Sequence, residues 1–298
     1  MAVDFGLVLQ PGWRPLDPSD ILTFNRQAIG MLSPQFTTLW TEDHMQKGTN
    51  PALESWTTLA YIAAEAPRYR LGNIVLCQSY RNPALLAKMS ATLQYLSGGR
   101  LILGIGAGWQ EDEYHAYGYD FPSAGVRVSQ LAETIELLRA MWTKSPASYS
   151  GRYYTVANAY CEPRPNPMPP IVVGGNGGRM LKLIARLADG WNTGADIATY
   201  RLRRDVLRRA CDEIGRDIAK ISCSLYAHAY FPADHSEYTR RQEEYGGDLV
   251  LLGPTPADAI AQLRPYVEAG MTHFAVKPHT LATVEGLAAQ VAPALARD

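Results

Sequence analysis

Residues 99–114 have the sequence GRLILGIGAGWQEDEY, an apolar run with interspersed glycines that is followed by a tryptophan and three acids. Such a run is typical of a strand buried in a parallel sheet, and its glycines permit a tight turn or the close approach of a ligand to the backbone. The dinucleotide-binding fingerprint G-x-G-x-x-G would need a glycine at position 109, where Trp109 stands, and it normally follows the first strand of a Rossmann unit. We therefore interpret the stretch as a later strand with the loop after it.

Short strand-like runs alternate with amphipathic helical patterns on both sides of this stretch. The predicted strands lie at 4–10, 37–44, 71–77, 100–108, 171–175, 190–195, 222–231 and 273–278. Two segments interrupt the alternation, a hairpin with a proline-rich return at 143–170 and a polar insertion at 232–254. Eight strand and helix pairs favour a closed barrel over an open doubly wound sheet. We predict an α/β fold: a single (β/α)8 TIM barrel with insertions after helix 4 and strand 7, forming one domain over residues 1–298.

The composition gives no electrostatic reason to expect nucleic acid or a membrane as partner. Of the 298 residues, 47% are hydrophobic and 19% are charged, and the formal net charge is −1. No segment approaches the roughly eighteen apolar residues that a membrane span needs. The N-terminal sequence also lacks the charged and apolar regions of a secretion signal. We expect a cytoplasmic protein.

The cysteines and histidines do not form a metal-binding pattern. The four cysteines contain no C-x-x-C pair, and the six histidines contain no H-x-H pair. A Cys-rich zinc site, a disulfide framework or a metal hydrolase of the barrel type would show such spacings. We predict that the protein uses no metal.

VGGNGGR at 173–179 is the strongest candidate for a phosphate-binding loop. Glycines around an asparagine expose consecutive N–H groups just before a predicted helix, and an arginine adds a positive charge. The candidate residues are Gly174, Gly175, Asn176, Gly177, Gly178 and Arg179. A glycine-rich linker without function is the alternative, and the position after the fifth strand is unusual because barrels commonly bind phosphate after the seventh and eighth strands.

His44 and Glu113 are the candidates for proton transfer, since both follow predicted strands at the end of the barrel where active sites lie. A histidine can exchange a proton near neutral pH, but His44 could equally be a structural histidine bonded to a neighbouring loop. The run 111–113 could be a solvated acidic turn. Glu113 is the acid most suited to an inward position, because Trp109 and Tyr114 could shield it from water.

Three stretches together resemble the bacterial luciferase-like flavin and deazaflavin oxidoreductases. They are EDH at 42–44, LGNIVLCQSYRNPALLAKMSATLQYLSGGRLILGIGAGWQEDEYHAYGYDFPS at 71–123, and PPIVVGGNGGRMLKLIARLADGWN at 169–192. The pattern GAGWxxxEY is most similar to that of the members that use the deazaflavin coenzyme F420. The similarity is specific in the middle of the chain and weak after residue 196.

The resemblance implies a cofactor, coenzyme F420 or alternatively FMN, whose ring lies at the barrel mouth and whose phosphate binds at 174–179. It implies a cis peptide between Ile74 and Val75 behind the ring, and an Asp43–His44 motif that places His44 beside the reacting centre. The other residues implied near the ring are Cys77, Gly106, Ala107, Gly108 and Trp109. Related sugar-phosphate dehydrogenases have a catalytic glutamate where Trp109 stands, which argues against sugar-phosphate oxidation here.

The implied reaction is hydride transfer between reduced deazaflavin and a small organic substrate, with His44 or Glu113 as acid or base. The first alternative is an FMN-dependent monooxygenase that uses O2 and FMNH2 supplied by a partner reductase; a flavin or F420 reductase would supply reduced cofactor. A second alternative is a protein that sequesters a flavin without turnover. The family also implies a homodimer.

Overall fold

A computed structural model describes residues 3–12, 20–245 and 249–296. Eight parallel strands close into a barrel, because β10 pairs with β9 on one side and with β12 on the other. In chain order the strands are β1 (Asp4–Val8), β2 (Phe36–Thr41), β3 (Arg70–Asn73), β4 (Leu76–Cys77), β5 (Leu101–Gly106), β6 (Ala147–Ser150), β7 (Thr155–Ala159), β8 (Ile171–Gly174), β9 (Gly190–Thr193), β10 (Ser222–Ala229), β11 (Leu251–Leu252) and β12 (His273–Pro278). Strands β3 and β4 both pair with β5 and together form one barrel strand.

Helices surround the barrel and follow its strands, as a (β/α)8 fold requires. They are α1 (Ile21–Gly30), α2 (Ser55–Glu65), α3 (Pro83–Leu96), α4 (Glu111–Ala116), α5 (Ala124–Thr143), α6 (Gly178–Leu187), α7 (Ile197–Asp212), α8 (His235–Glu244), α9 (Pro256–Glu268), α10 (Leu281–Gly286) and α11 (Ala292–Leu295). A π-helical segment, Leu287–Val291, connects the last two. The predicted TIM barrel is confirmed.

Alternation along the strands divides the apolar residues into two groups. On β12, Phe274 and Val276 face outward and belong to the large core between the barrel and the helices. Ala275 faces inward and belongs to a smaller cluster inside the barrel. The inner cluster comprises Val8, Trp40, Ile74, Ile102, Val172 and Ala275, with Val75 and Tyr226 packed against it. The C-terminal ends of the strands above this cluster form the barrel mouth.

The two predicted insertions have their own secondary structure. The first contains the antiparallel hairpin β6–β7, as predicted. The second, predicted only as a polar segment, contains helix α8 and strand β11, and β11 pairs with the last two residues of β10, beyond those that pair with β9. Strand 71–77 is also not continuous, since the chain leaves the ladder between β3 and β4. The peptide bond between Ile74 and Val75 at this break is cis, which confirms the bond that the family resemblance implies.

Candidate active site

The side chain of Val75 leaves no room for a Cβ atom at the glycines that face it on β5 and β8. A Cβ atom at Gly106 would lie 2.9 Å from Val75 Cγ2, and one at Gly174 would lie 2.8 Å from the same atom. A Cβ atom at Gly104 would lie 1.8 Å from the carbonyl oxygen of Asn73. The break between β3 and β4 therefore fits against β5 and β8 only because these three positions carry no side chain.

The loop after β5 is packed against protein in the same way. Gly108 has a positive φ of 78°, and a Cβ atom there would lie 2.0 Å from the Tyr114 hydroxyl and 2.6 Å from Cys77 Sγ. Burial raises the pKa of the Cys77 thiol, so this thiol stays protonated at neutral pH. Side-chain packing thus accounts for the missing Cβ atoms, and binding of a cofactor by Gly106, Ala107, Gly108 and Cys77 stays a prediction.

His44 and Glu113 form a hydrogen-bonded pair at the mouth. Glu113 Oε1 lies 2.6 Å from His44 Nδ1, and its Oε2 accepts hydrogen bonds from the Met45 N–H at 3.2 Å and the Tyr80 hydroxyl at 3.0 Å. Glu113 is 1% exposed and lies in the first turn of α4, whereas Glu111 and Asp112 are exposed. Burial, together with Cys77 and Glu113, raises the pKa of Tyr80, which therefore remains a donor.

Asp43, the residue before His44, is fixed by Arg81, a residue to which the sequence analysis assigned no role. Arg81 donates to both oxygens of Asp43 at 2.9 Å, and the Cys77 N–H donates to Asp43 Oδ2 at 2.8 Å. Arg81 also pairs with Glu54, the N-cap of α2. Tyr80 and Arg81 are consecutive, so one short loop holds both Glu113 and Asp43. The loop's polar residues directly after a buried strand were the available signal for this role.

The 174–179 loop leaves the N-terminus of α6 open. Gly177 is the N-cap of this helix and makes no side-chain capping bond, and Cβ atoms at Gly177 and Gly178 would meet nothing within 4 Å. Asn176 Oδ1 accepts a hydrogen bond from the Thr193 hydroxyl at 2.8 Å, which fixes the loop. Arg179 reaches Ser129 on α5 at 3.2 Å. Open N–H groups at a helix N-terminus with an arginine beside them fit a phosphate group.

The side chain of Trp109 is more exposed than the sequence analysis predicted. Its side chain is 71% exposed, so it does not shield Glu113 from water as expected. Its ring instead lies edge-on to the His44 ring, with 6.0 Å between the centroids. Tyr80 and Met45 contact the Glu113 carboxylate directly. An exposed aromatic ring beside His44 is available for contact with a ligand in the mouth.

A second polar cluster, absent from the sequence predictions, begins inside the barrel at Glu42. Lys277 on β12 forms a buried ion pair with Glu42, and the Tyr226 hydroxyl donates to Glu42 Oε1 at 2.6 Å. Burial alone raises the pKa of Glu42, but Lys277 and the hydrogen bonds from Lys277 and Tyr226 outweigh it, so the net pKa lies below its ordinary value. A lysine within the apolar strand HFAVKP was the signal that could have revealed this cluster.

Residues 3–12, 20–245 and 249–296 contain no group of three histidine, cysteine or acidic side chains placed to hold a metal ion. In the same ranges, no helix is long and apolar enough to cross a membrane.

Comparison with known proteins places this geometry in a family context. The family model described as luciferase-like monooxygenase matches residues 35–290. A relative from Segniliparus rotundus, named F420-dependent glucose-6-phosphate dehydrogenase, is 30% identical over 279 residues, which cover 80% of this chain and 82% of the relative.

Two solved structures share the fold. An F420-dependent secondary alcohol dehydrogenase in complex with an F420-acetone adduct superposes with a TM-score of 0.85 at 19% identity, over the full length of both chains. A long-chain alkane monooxygenase superposes with a TM-score of 0.81 at 16% identity, over 100% of this chain and 92% of that one.

Proposed function

The chain belongs to the luciferase-like monooxygenase family and is an oxidoreductase, and from this premise we propose that it transfers a hydride between coenzyme F420 and a small organic substrate. One observation carries the proposal: the His44–Glu113 pair and the open N-terminus of α6 lie at the same end of one barrel. A barrel enzyme assembles its active site at this end. The name of the Segniliparus rotundus relative supports F420 as the cofactor.

The residues at the mouth fit a phosphate-bearing cofactor. Its phosphate would accept hydrogen bonds from the N–H groups at the start of α6, beside Gly177, Gly178 and Arg179. Its ring would lie against Val75, as the family resemblance implies. When bound, the reduced deazaflavin supplies the hydride, and the protein supplies orientation and proton transfer.

His44 is the proposed acid or base. When an alcohol carbon gives up its hydride, the hydroxyl proton leaves at the same time, and His44 accepts it; in the reverse direction His44 returns a proton to the carbonyl oxygen. Glu113 holds Nδ1, so proton exchange with the substrate uses Nε2. The buried Glu113 carboxylate stabilises the imidazolium that results, and Tyr80 and the Met45 N–H fix that carboxylate.

Cofactor titration tests the proposal. Purified protein is titrated separately with F420 and with FMN while absorbance and fluorescence are recorded. We expect saturable F420 binding at lower concentration than FMN binding. Tight FMN binding without affinity for F420 would overturn the proposal. The control is Arg179→Ala, which should weaken whichever cofactor binds, since the charge beside the phosphate is lost.

An FMN-dependent monooxygenase is the second candidate, and the shared fold with a long-chain alkane monooxygenase favours it. Such an enzyme would receive FMNH2 from a partner reductase and consume O2. Oxygen uptake with FMNH2 and substrate, measured at an electrode, would support this candidate. A protein that sequesters the cofactor would bind it and turn over neither substrate nor O2. Homodimerisation, a reductase partner and a cytoplasmic location stay predictions.

A further inference from the structure

The cluster that begins at Glu42 continues to the outer rim of the barrel. We name it the rim cluster and define it as Glu42, Tyr226, His228, Tyr245, His279 and Lys277. The Tyr226 oxygen lies 2.8 Å from His228 Nε2. His228 Nδ1 lies 3.2 Å from the Tyr245 hydroxyl and 3.1 Å from His279 Nε2, and these last two groups are 3.1 Å apart. The described side chains therefore form a continuous hydrogen-bond network that runs from a buried ion pair to the barrel mouth.

The Lys277–Glu42 ion pair determines which groups donate and which accept in the hydrogen bonds of the rim cluster. Glu42 is held as a carboxylate by Lys277 and can only accept hydrogen bonds, so Tyr226 must donate its proton to Glu42. The Tyr226 oxygen then accepts from His228 Nε2–H. In a neutral imidazole this leaves Nδ1 as the acceptor that faces Tyr245 and His279. The upper end of the cluster thus presents a hydroxyl and an imidazole beside this acceptor nitrogen.

The rim cluster adds no net charge to the mouth when its imidazoles are neutral. The Lys277 cation is matched by the Glu42 carboxylate. On the neighbouring side of the mouth, Arg81 faces two carboxylates, Asp43 and Glu54. For a phosphate dianion bound here, attraction to Lys277 and Arg81 would be offset by the carboxylates of Glu42, Asp43 and Glu54. By the same argument, an uncharged hydroxyl or carbonyl group can exchange hydrogen bonds with the tyrosine and histidines at no electrostatic cost.

The cluster also offers flat aromatic surfaces next to the proposed cofactor position. Tyr226 packs against the inner cluster that contains Ile74, and Val75 packs against the same cluster. At the rim, the His279 ring lies 5.4 Å from the Tyr230 ring, with 32° between their planes. Tyr226, Tyr245 and His279 are partly exposed. A planar molecule placed here would lie between the proposed ring position and the rim.

We propose that the rim cluster is the substrate-binding subsite and that it selects an uncharged, planar alcohol or carbonyl compound over a phosphorylated one. This inference rests on the proposed function, since it assumes that the substrate binds at the mouth beside the cofactor. It separates this chain from the Segniliparus rotundus relative, whose name specifies a sugar phosphate.

Ligand binding tests the inference directly. 1-Phenylethanol and acetophenone serve as the uncharged probes, and glucose 6-phosphate and inorganic phosphate serve as the anionic ones. Each is titrated calorimetrically into the protein with F420, and without F420 into Arg179→Ala, in which anion binding at the 174–179 loop should be weakened. We expect both uncharged probes to bind, with glucose 6-phosphate at least about tenfold weaker. Equal or tighter binding of glucose 6-phosphate overturns the inference, as does failure of both uncharged probes to bind.

Two matched variants locate the binding. Tyr245→Phe keeps the ring and removes a hydroxyl of the rim cluster, and it should weaken acetophenone binding about tenfold. Tyr61→Phe removes a hydroxyl that donates to Glu65 within helix α2, outside the cluster, and should leave binding unchanged. Unaltered affinity in Tyr245→Phe, with normal unfolding, overturns the assignment.

The proposed function can fail separately. If neither F420 nor FMN binds, that proposal fails, while the titrations without cofactor still test the rim cluster.

Discussion

Glu113 Oε1 lies 2.6 Å from His44 Nδ1, although the two residues are 69 positions apart in the chain. The contact joins the ends of two barrel strands, and Tyr80 strengthens it from the loop after a third. A buried carboxylate bonded to one nitrogen of an imidazole fixes the orientation of the ring. The pair therefore has a set geometry before any ligand binds.

Replacing His44 with asparagine should slow cofactor turnover by about a hundredfold or more, since an amide cannot exchange the proton. Cofactor affinity should remain, because the phosphate loop is untouched. Single-turnover absorbance measurements of the cofactor, made with any alcohol or ketone that the protein turns over, check the rate. His115→Asn on the exposed face of α4 is the matched control and should behave like the wild type. An unchanged rate in His44→Asn would remove this residue from the mechanism.

Gly178→Ala should weaken cofactor binding without harming the fold. A Cβ atom at this helical position meets no neighbour, so the free energy of unfolding should stay constant or rise by at most about 1 kcal/mol. The added methyl group would enter the space where the phosphate is expected. Fluorescence titration measures the affinity. The control is Gly30→Ala in α1, another glycine with open space around it, which should leave affinity unchanged.

Gly104→Ala should destabilise the barrel by about 3 kcal/mol or more, because its Cβ would lie 1.8 Å from the main-chain oxygen of Asn73 and the backbone of β3 would have to shift. Urea denaturation followed by circular dichroism measures the effect. Gly30→Ala again serves as the reference. Wild-type stability in Gly104→Ala would mean that β3 and β5 can separate at this point, contrary to the packing described.

Glu42→Gln should lower the free energy of unfolding at pH 7 by about 3–5 kcal/mol, because it removes the carboxylate that forms the buried ion pair with Lys277. Adding Lys277→Met should recover most of this loss. A double-mutant cycle measured by urea denaturation separates the interaction energy of the Glu42–Lys277 pair from the effects of the single substitutions. If the double variant is no more stable than Glu42→Gln, the ion pair does not explain the loss.

The Glu42 carboxylate should also make the free energy of unfolding depend on pH. The folded pKa of Glu42 lies below its ordinary value of 4.5, so its stabilisation is complete above that pH and is lost as the pH falls through the folded pKa. Unfolding measured between pH 7 and pH 3 should show a steeper acid loss in the wild type than in Glu42→Gln/Lys277→Met. If the free energy of unfolding falls equally with pH in both proteins, the acid loss does not come from Glu42.

The fold could be predicted because eight apolar runs and the helices after them have periodicities that depend on local sequence alone. The carboxyl end of each strand could be recognised in the same way, and this brought His44, Glu113 and the 174–179 loop to one end of the barrel. Helix α8 was missed because its sequence, HSEYTRRQEE, is polar and buries only Tyr238. Polar helices of this kind carry little of the apolar periodicity on which the prediction relied.

Side-chain pairings over long separations could not be predicted. The Lys277–Glu42 contact spans 235 positions, and Arg81 received no role because a single arginine in a loop does not identify its partner. The alternation of Ser224, Tyr226 and His228 along β10 did contain a signal, since it places polar groups on the inward face. Without the neighbouring strands, nothing in that alternation identifies Glu42 as the partner.

The packing of Val75 against Gly106 and Gly174 has a consequence for how the sequence can diverge. Val75 Cγ2 occupies the space that a Cβ atom at either glycine would need. A larger residue at either glycine therefore becomes tolerable only after position 75 has lost a methyl group. Substitutions at these three positions must therefore accumulate in a fixed order along a lineage. In an alignment of descendants, position 75 should covary with both glycines, although the three positions belong to three different segments of the chain.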